Sequence, residues 1–324
     1  GCDETGFAYN DFSHAESIKF VGKASRVDSA IRLTPAEQLI AGAIWYGSVV
    51  PVASGFSTTF SFSTNYGTNG DALDGSYPGA DGIAFVIQNN DSAAIGKTGG
   101  NIGYEGIENA IAIEFDLFAN DHNQITNKFD PNGNHIAIQS MGTGEIKADH
   151  TEDATLAINT EISEIPSDGT VFYAKIEYNY QPGVMNVFLD RQGKFGRSSL
   201  VADSLHLDKL LDLEFREGAY VGFTSATGKA YQEHKLLSWY FCPKPTDGPF
   251  VSVEEEPESV DYKFNVSPNP AEDKLNISLS LTESGFTELA IYNVMGEKVQ
   301  TVLAENISTF GSRQLSADVS NLSS

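Results

Sequence analysis

Apolar and polar side chains alternate with a period of two residues through most of this 324-residue chain. Because successive side chains of a β-strand point to opposite faces of a sheet, the alternation predicts strands with one buried face. Gly, Asn, Asp and Pro bound these segments and indicate turns. Residues 200–217 are the one segment whose pattern fits a helical turn. Because the other segments predict many closely spaced strands, we expect an all-β chain folded as an antiparallel sandwich or barrel. The predicted strands are residues 56–64, 82–88, 110–118, 135–140, 172–180, 184–190 and 219–227.

The composition of the chain changes after Cys242. Residues 243–261 contain four prolines and three consecutive glutamates, which is typical of a semi-rigid linker. Alternation returns in residues 262–324 and predicts a small second β-sandwich, which we expect to be incomplete because no terminal strand follows. The sequence therefore predicts a β domain at residues 1–242, a linker at 243–261 and a small domain at 262–324. The strands predicted in the small domain are residues 275–281, 287–296 and 297–303.

The net charge limits the partners of the chain. It has 44 acidic and 20 basic residues, a formal charge of −24. This charge repels phosphate backbones and anionic lipids, so we expect no nucleic acid partner, whereas divalent cations and neutral ligands are compatible with it. No apolar run approaches the ~18 residues of a membrane span, and we expect no membrane insertion. The chain opens with GCDETGFAYNDF, so either a secretory leader has been removed or the protein was never exported.

Two cysteines, Cys2 and Cys242, stand at opposite ends of the predicted first domain. Their separation argues against a metal site, which would need further ligands nearby. Two interpretations remain open at this point. They are either two buried thiols in a reducing compartment, or a disulfide that joins the start of the domain to its end in an exported protein. In the chain-entropy model so long a loop contributes up to ~5 kcal/mol.

Residues 112–138 carry most of the metal-ligand chemistry of the sequence. Glu114, Asp116 and Phe118 alternate along one predicted strand, so their side chains share a face. Two carboxylates on that face repel each other unless a cation lies between them. Carboxylates, an amide, a backbone carbonyl and an imidazole suit a hard cation beside a transition metal, although a solvated acidic loop with a surface histidine has the same composition. The candidates are Glu114, Asp116, Phe118, Asn120, Asp130 and His135.

Several other sites are excluded by their motifs. Residues 130–134 imitate the start of an EF-hand loop, but its sixth position is His135 instead of Gly and its twelfth is Met141 instead of Glu. The sequence has no HExxH, no GxSxG elbow and no P-loop. Zinc-protease, serine-hydrolase and P-loop nucleotidase chemistry are therefore not expected.

Four groups of motifs follow one another along residues 12–241: ADGIAFVIQ, GGNIGY, IAIEFDLFAN with DPNGNHIAI, and VGFTSATG with EHKLLSWYF. In this order they resemble the legume-type (L-type) lectins, and the ExDxFxN…DPxxxH core is highly specific. The resemblance implies a concanavalin-like jelly-roll sandwich that holds Ca²⁺ beside Mn²⁺ or another transition metal. The implied ligands are Glu114 and His135 for the transition metal, Asp116 and Asp130 for both ions, and Asn120 and the Phe118 carbonyl for calcium.

The same resemblance implies a sugar site beside the ions. Asp81 would accept hydrogen bonds from two sugar hydroxyls, and the peptide bond before it would be cis. Gly100 would donate its backbone N–H and Asn120 its amide, while the Phe118 ring would stack on the sugar. The loop from Asn120 to Asp130 is longer than usual and the specificity loop is short, so the sugar itself is not implied. The specificity loop contains Lys229, Ala230 and Tyr231.

The C-terminal motifs FNVSPNPAEDKLNISL, ELAIYNVMGEKV and LSADVSNLSS resemble the sorting domain of the type IX secretion system of Bacteroidota. The specific part is SPNPAEDKLNI at residues 267–277, and we expect a truncated domain because its glycine-aromatic and lysine-rich end does not follow. The resemblance implies a bacterial protein that the type IX machinery exports to the cell surface or the medium. That context permits the Cys2–Cys242 disulfide, which we predict.

These motifs together predict a secreted or cell-surface lectin that binds glycans or polysaccharides with Ca²⁺ and Mn²⁺ and has no catalytic activity. One alternative is a glycoside hydrolase on the same jelly roll, similar to the laminarinases, in which a second Glu follows a Glu-x-Asp strand. Retaining hydrolysis needs two carboxylates ~5–5.5 Å apart. Phe118 and Ala119 stand where that Glu would be, so the acid is missing. A structural adhesion module with an inactive sugar site is a second alternative.

Overall fold

The alternating segments form antiparallel strands in the computed structural model of the chain. The chain divides into two units, Gly1–Gly248 and Pro249–Ser324, which we take in turn. The domain boundaries at residues 242 and 261 stay predictions, because residues 245–262 lie outside the described part. The structure describes residues 6–65, 79–120, 128–213, 218–244, 263–267, 273–281, 285–292, 298–307 and 311–320.

The first unit consists mainly of strands. Its only described helical elements are a 3-10 turn at Gly99–Asn101 and the helix α1 at Leu207–Leu210, which lies within the segment where a helical turn was predicted. The strands are β1 (Phe7–Tyr9), β2 (Ile18–Gly22), β3 (Ser25–Val27), β4 (Ala30–Thr34), β5 (Ala41–Tyr46), β6 (Val50–Pro51), β7 (Gly55–Asn65), β8 (Gly82–Gln88), β9 (Ala110–Asp116), β10 (His135–Ser140), β11 (Thr155–Asn159), β12 (Asp168–Asn179), β13 (Val184–Asp190), β14 (Leu200–Ala202), β15 (Gly218–Ala226) and β16 (Glu233–Pro243).

These strands form two antiparallel sheets, each of eight strands in the described residues. Sheet 1 has the order β14-β13-β12-β7-β16-β4-β3, with β1 paired to β16, and sheet 2 has the order β11-β10-β9-β8-β15-β5-β2, with β6 paired to β15. All seven strands predicted for this unit are present, with small shifts at their ends. Strands β1 to β6, β11, β14 and β16 were not predicted, and all of these except β16 have six residues or fewer, which is too short for alternation to be clear.

An aromatic core lies between the two sheets. Phe60 and Trp239 from sheet 1 meet Phe223 from sheet 2, with ring centroids 4.8 Å and 5.0 Å apart in edge-to-face geometry. Phe62 meets Phe115 at 5.3 Å. Because all five rings are at most 1% exposed, this core fixes which face of each central strand points inward.

A second apolar cluster covers the outer face of sheet 2. Strand β9 directs Ile111, Ile113 and Phe115 into the inner core, whereas its alternate residues Ala110 and Ala112 belong to the outer cluster. Tyr104, Ile107, Ile146 and Ala148 cover this face from two loops; all four are buried. Consequently β9 is buried on both faces, and any polar side chain on its outer face is enclosed by these loops.

The second unit contains two small sheets. One has the order β17-β18-β21 and the other pairs β19 with β20. The three predicted segments correspond to β18, β19 and β20. Strands β17 and β21 were not predicted, since β21 is a mostly polar sequence with weak alternation. The bounds are β17 (Lys263–Ser267), β18 (Lys274–Leu281), β19 (Gly285–Tyr292), β20 (Lys298–Ile307) and β21 (Gly311–Asp318).

The all-β architecture predicted from the sequence is confirmed. Among the described residues, no helix has the length and apolar character that would let it cross a bilayer.

The Cys2–Cys242 disulfide stays a prediction, because Cys2 lies outside the described residues. Cys242 lies in β16, and its neighbour Phe241 pairs with Phe7 of β1. The start of the described chain therefore runs beside the strand that carries Cys242, as the predicted pairing requires.

A buried histidine, His234, links β16 to β4. Its Nδ1 lies 2.6 Å from Thr34 Oγ1, and its Nε2 lies 3.1 Å from the Gln232 amide nitrogen. The Gln232 amide can only donate to Nε2, so Nδ1 carries the proton of a neutral ring. Burial lowers the pKa of His234 to about 3.

We expect His234→Gln to weaken the pH dependence of stability. The unfolded chain binds a proton at this histidine below pH ~6.5 while the folded chain does not, so the native state loses about 1.4 kcal/mol per pH unit as the pH falls toward 3. Urea unfolding in EDTA should therefore show a decline between pH 6 and 4.5 that is about 2 kcal/mol smaller in the variant than in the wild type. Equal declines would contradict this role of His234.

Candidate metal and carbohydrate site

The candidate site lies on the outer face of sheet 2, where three central strands place its side chains in register. Asp116 in β9 is opposite Gly82 in β8 and His135 in β10. Glu114 lies two residues earlier on the same face, opposite two alanines. Asp81 directly precedes β8. Gly82 and the two alanines leave room beside the two carboxylates, so local alternation and strand pairing bring these groups together.

The first cluster contains Glu114, His135 and His150, whose ligand atoms all lie within 4.8 Å of one another. His150 Nε2 lies 2.8 Å from His135 Nε2 and 2.9 Å from Glu114 Oε1. The Tyr104 hydroxyl donates to Glu114 Oε2 at 2.5 Å, and the Gln139 amide donates to Glu114 Oε1 at 3.3 Å. The side chains of Glu114 and His135 are fully buried. The Glu114 carboxylate is therefore stabilised by the protein groups around it and not by bulk water.

His150 was not predicted from the sequence, whereas Glu114 and His135 were. It stands in the loop between β10 and β11, in the sequence ADHTED, with no spacing motif that connects it to Glu114. Tyr104 and Gln139 were also missed. These residues reach the site through packing of distant loops and strands, and no local pattern in the sequence marks them.

The charges of the cluster shift the ionisation of its members. Burial acts to raise the pKa of Glu114, but the hydrogen bond and charge of His150 hold that pKa below its ordinary value. Burial acts to lower the pKa of His150, but Asp130 and Glu114 raise it to about 11. Burial lowers the pKa of His135. In the absence of a metal ion, His150 is therefore the positive charge that offsets the buried carboxylates.

The second cluster surrounds Asp116 and Asp130. Burial, together with the charges of Asp130 and Glu114, raises the pKa of Asp116 well above its ordinary value. The backbone N–H of Phe118 donates to Asp116 Oδ1 at 2.9 Å, and that of Asn120 donates to Asp130 Oδ2 at 2.6 Å. These two hydrogen bonds fix the start of the loop, so the predicted calcium ligands are neighbours in the structure.

Three buried oxygen atoms near this cluster find no hydrogen bond among the described residues: Asp81 Oδ2, Asn120 Oδ1 and Asp130 Oδ1. Asp130 Oδ1 lies 3.1 Å from His150 Nδ1, as an ion pair without hydrogen-bond alignment. Buried oxygen atoms are normally satisfied, and hard cations are bound by such carboxylate and amide oxygens. The donor set therefore fits a divalent cation.

The predicted sugar residues lie beside the second cluster. The Ala80–Asp81 bond is cis, as the resemblance implied. Burial raises the pKa of Asp81 to about 7, with Asp130 adding to the effect. A Cβ atom on Gly100 would lie 2.3 Å from Asn120 Oδ1, so only glycine fits there. The ring of Phe118 is half-buried. Asp81, Gly100, Phe118 and Asn120 are thus close together.

The predicted specificity loop also borders Asp81. A Cβ atom on Gly228, just before this loop, would lie 3.4 Å from Asp81 Oδ2. Lys229 is exposed, whereas Ala230 and Tyr231 are half-buried. The Gln38 amide donates to the Lys229 carbonyl at 2.8 Å and holds the loop against the segment before β5. The roles of these residues in sugar binding stay predictions.

The first unit is a sandwich of two antiparallel sheets. Acid, amide and imidazole side chains are enclosed on the outer face of sheet 2, an arrangement of the lectin class of jelly rolls. Residues 8–238 match the family described as the legume lectin β-barrel domain. The chain belongs to this family, as the sequence motifs indicated. Residues 265–324 match the secretion system C-terminal sorting domain, which confirms the second resemblance.

Similar proteins are plant lectins. The chain is 30% identical over 207 residues to agglutinin-2 of Cladrastis kentukea, covering 61% of each protein, and 29% identical over 253 residues to lectin 6 of Medicago truncatula, covering 74% of this chain and 78% of that lectin. The chain thus spans less than two thirds of the agglutinin's own length. Both of these relatives are lectins rather than hydrolases.

Solved structures of lectins share the fold. Lectin II of Ulex europaeus is 24% identical with a TM-score of 0.57, covering 75% of this chain and all of that one. The exoplasmic domain of VIP36 is 18% identical with a TM-score of 0.58, covering 77% of this chain and 92% of that one. These likenesses confirm the concanavalin-like jelly roll.

We expect Asp116→Asn to stabilise the metal-free protein and to abolish its response to calcium. The amide removes one of the buried like charges, so the free energy of unfolding at pH 7 in EDTA should rise by about 1 kcal/mol or more. A divalent ion that binds the folded state at 100 times its Kd should add about 2.7 kcal/mol to the wild type and much less to the variant. Urea unfolding with EDTA or with CaCl₂ measures both effects, and an equal calcium response in the two proteins would contradict the assignment.

Proposed function

We propose that this protein is an exported lectin that binds a neutral glycan through Asp81, Gly100, Phe118 and Asn120, with Ca²⁺ and a transition metal bound behind the site. The observation that carries the proposal is the group of buried oxygen atoms without hydrogen bonds, contributed by Asp81, Asn120 and Asp130. Bound ions would supply the positive charge that offsets the carboxylates.

The metal ligands proposed are those that the family resemblance implies. Asp116 and Asp130 would be shared between the ions, Asn120 Oδ1 and the Phe118 carbonyl would serve calcium, and Glu114 and His135 would serve the transition metal. The raised pKa of Asp116 supports this, because burial and two neighbouring carboxylates disfavour its charge until a cation is present.

The proposed sugar contacts come from residues beside the same cluster. Asp81 can accept two hydrogen bonds from adjacent hydroxyls, and the Asn120 amide can donate while its oxygen faces the ion. Gly100 allows the ring of a sugar to approach its backbone N–H, and the half-buried Phe118 offers an apolar face. Uncharged hydroxyls suit a protein with a net charge of −24.

The fold does not select one sugar. The structurally similar lectin of Bauhinia forficata is in complex with GalNAc, UEA-II is complexed with galactose, and the VIP36 domain is in a Man3GlcNAc-bound form. We infer that the class of ligand is a neutral hexose or N-acetylhexosamine, and that Lys229, Ala230 and Tyr231 select within it. A glycan array with and without EDTA is the experiment that identifies the ligand.

We expect Asp81→Asn to lose sugar affinity while keeping the metals. An ionised carboxylate makes hydrogen bonds worth ~1.5–3 kcal/mol each, whereas an amide presents one acceptor and one donor. Calorimetry with the best array ligand should show a loss of at least about tenfold, and native mass spectrometry should show the same ions as in the wild type.

Asp153→Asn, which changes an exposed carboxylate in a turn, is the matched control and should bind as the wild type does. EDTA should abolish binding in the wild type and the control, and Ca²⁺ with Mn²⁺ should restore it. Sugar binding that persists in Asp81→Asn or in EDTA would contradict the proposed site, and an array without any hit would favour the adhesion module with an inactive site.

We further propose that the C-terminal unit directs export through the type IX machinery of Bacteroidota, because residues 265–324 match a sorting domain. In a Bacteroidota host, the chain without residues 263–324 should remain in the periplasm, whereas the chain with a complete sorting domain should reach the surface or the medium. Immunoblotting of cell fractions distinguishes these outcomes. Export of the shortened chain would contradict the proposal.

A further inference from the structure

Three ligand atoms of the first cluster surround one point. Glu114 Oε1, His135 Nε2 and His150 Nε2 are separated by 2.8, 2.9 and 3.9 Å. The circle through three atoms at these separations has a radius of about 2.0 Å, so one ion can bond to all three atoms at the ~2.0 Å of a Zn²⁺–nitrogen bond or at a slightly longer distance. The side chain of His150 is 4% exposed and those of the other two are fully buried, so these atoms are shielded from bulk water.

The other nitrogen of each ring faces groups that accept hydrogen bonds. His135 Nδ1 lies 3.0 Å from the Asn132 carbonyl, and His150 Nδ1 lies 3.4 Å from the Lys128 carbonyl and 3.1 Å from Asp130 Oδ1. Because these oxygens only accept, each Nδ1 carries a proton, and each Nε2 is the ring nitrogen that faces the shared point. This arrangement is typical of metal-bound histidines.

The loop that carries His150 is held by hydrogen bonds on both sides. The His150 N–H donates to the Lys128 carbonyl at 2.8 Å, and the Ala148 N–H donates to Glu105 Oε2 at 3.2 Å. The same Glu105 carboxylate pairs with the Lys128 ammonium. Ile146 and Ala148 are buried in the outer cluster. The loop backbone therefore fixes the position of the His150 ring, as an organised ligand requires.

From this geometry we propose that His150 is a protein ligand of the transition metal, so that the site has two imidazoles and is built for a borderline metal such as Zn²⁺ rather than for Mn²⁺. The ligand set implied by the family resemblance contains one imidazole, His135, and His150 adds the second. Imidazole ligands favour zinc, copper and nickel, whereas carboxylates and water favour manganese.

This inference rests on the metal dependence proposed above and is independent of sugar binding. The experiment uses the purified full chain and the metals alone. Zinc K-edge X-ray absorption of the wild type with one equivalent of Zn²⁺ in addition to saturating Ca²⁺ should show two imidazoles. Because loss of a ligand's supporting partner alone costs 10–100-fold, His150→Ala should lower Zn²⁺ affinity by about 100-fold or more and Mn²⁺ affinity by less than about tenfold.

The change in selectivity is the informative quantity, since almost any nitrogen and oxygen site binds Zn²⁺ more tightly than Mn²⁺. His14→Ala removes an exposed histidine, with a side chain 86% exposed, and should leave both affinities unchanged. The wild-type spectrum tests the proposal even where His150→Ala does not fold.

A single imidazole in the wild-type spectrum, or equal Zn²⁺ affinity in the wild type and His150→Ala, would overturn the role of His150 while leaving the proposed metal dependence intact. A wild-type chain that binds neither Zn²⁺ nor Mn²⁺ would overturn both proposals.

Discussion

The functional site depends on one constraint, which is the burial of several carboxylates on the outer face of strand β9. Glu114, Asp116 and Asp130 lie close enough for each charge to act on the others, and little water reaches them. Such an arrangement is unfavourable without a positive charge in the same place. His150 supplies part of that charge within the protein, and the proposed divalent cation would supply the rest at the oxygen atoms without hydrogen bonds.

The sandwich makes this burial tolerable because its inner core fixes strand β9 independently of the site. Phe115 and two isoleucines anchor the strand between the sheets, so its outer carboxylates need not contribute to folding by apolar contact. Alanines on the same outer face allow two loops to close over the strand. These loops bring Tyr104 and His150 to Glu114, so the packing that stabilises the loops also completes the proposed ligand set.

The site residues proposed from the sequence motifs lie near one another in the structure, for a reason that is partly local. Glu114 and Asp116 alternate on strand β9, which ends two residues before Phe118, and a strand of any sheet places such alternating residues on one face. The family motifs added Asp81, Gly100, Asn120, Asp130 and His135, and the structure brings all of them to the same region. His150, Tyr104 and Gln139 were missed because their approach to Glu114 depends on how loops and neighbouring strands pack.

The sequence by itself determined the period-two strands, the two-unit organisation of the chain and the chemistry of the ligands, because each of these is encoded in residues that are near one another along the chain. The tertiary structure alone decided which short edge strands pair, since a segment such as β3 has too few residues for its pattern to be read. It also decided which residues make up the proposed metal site. A histidine becomes a ligand through distance and orientation, and those are fixed here by hydrogen bonds between residues far apart in sequence, such as Glu105 with Ala148.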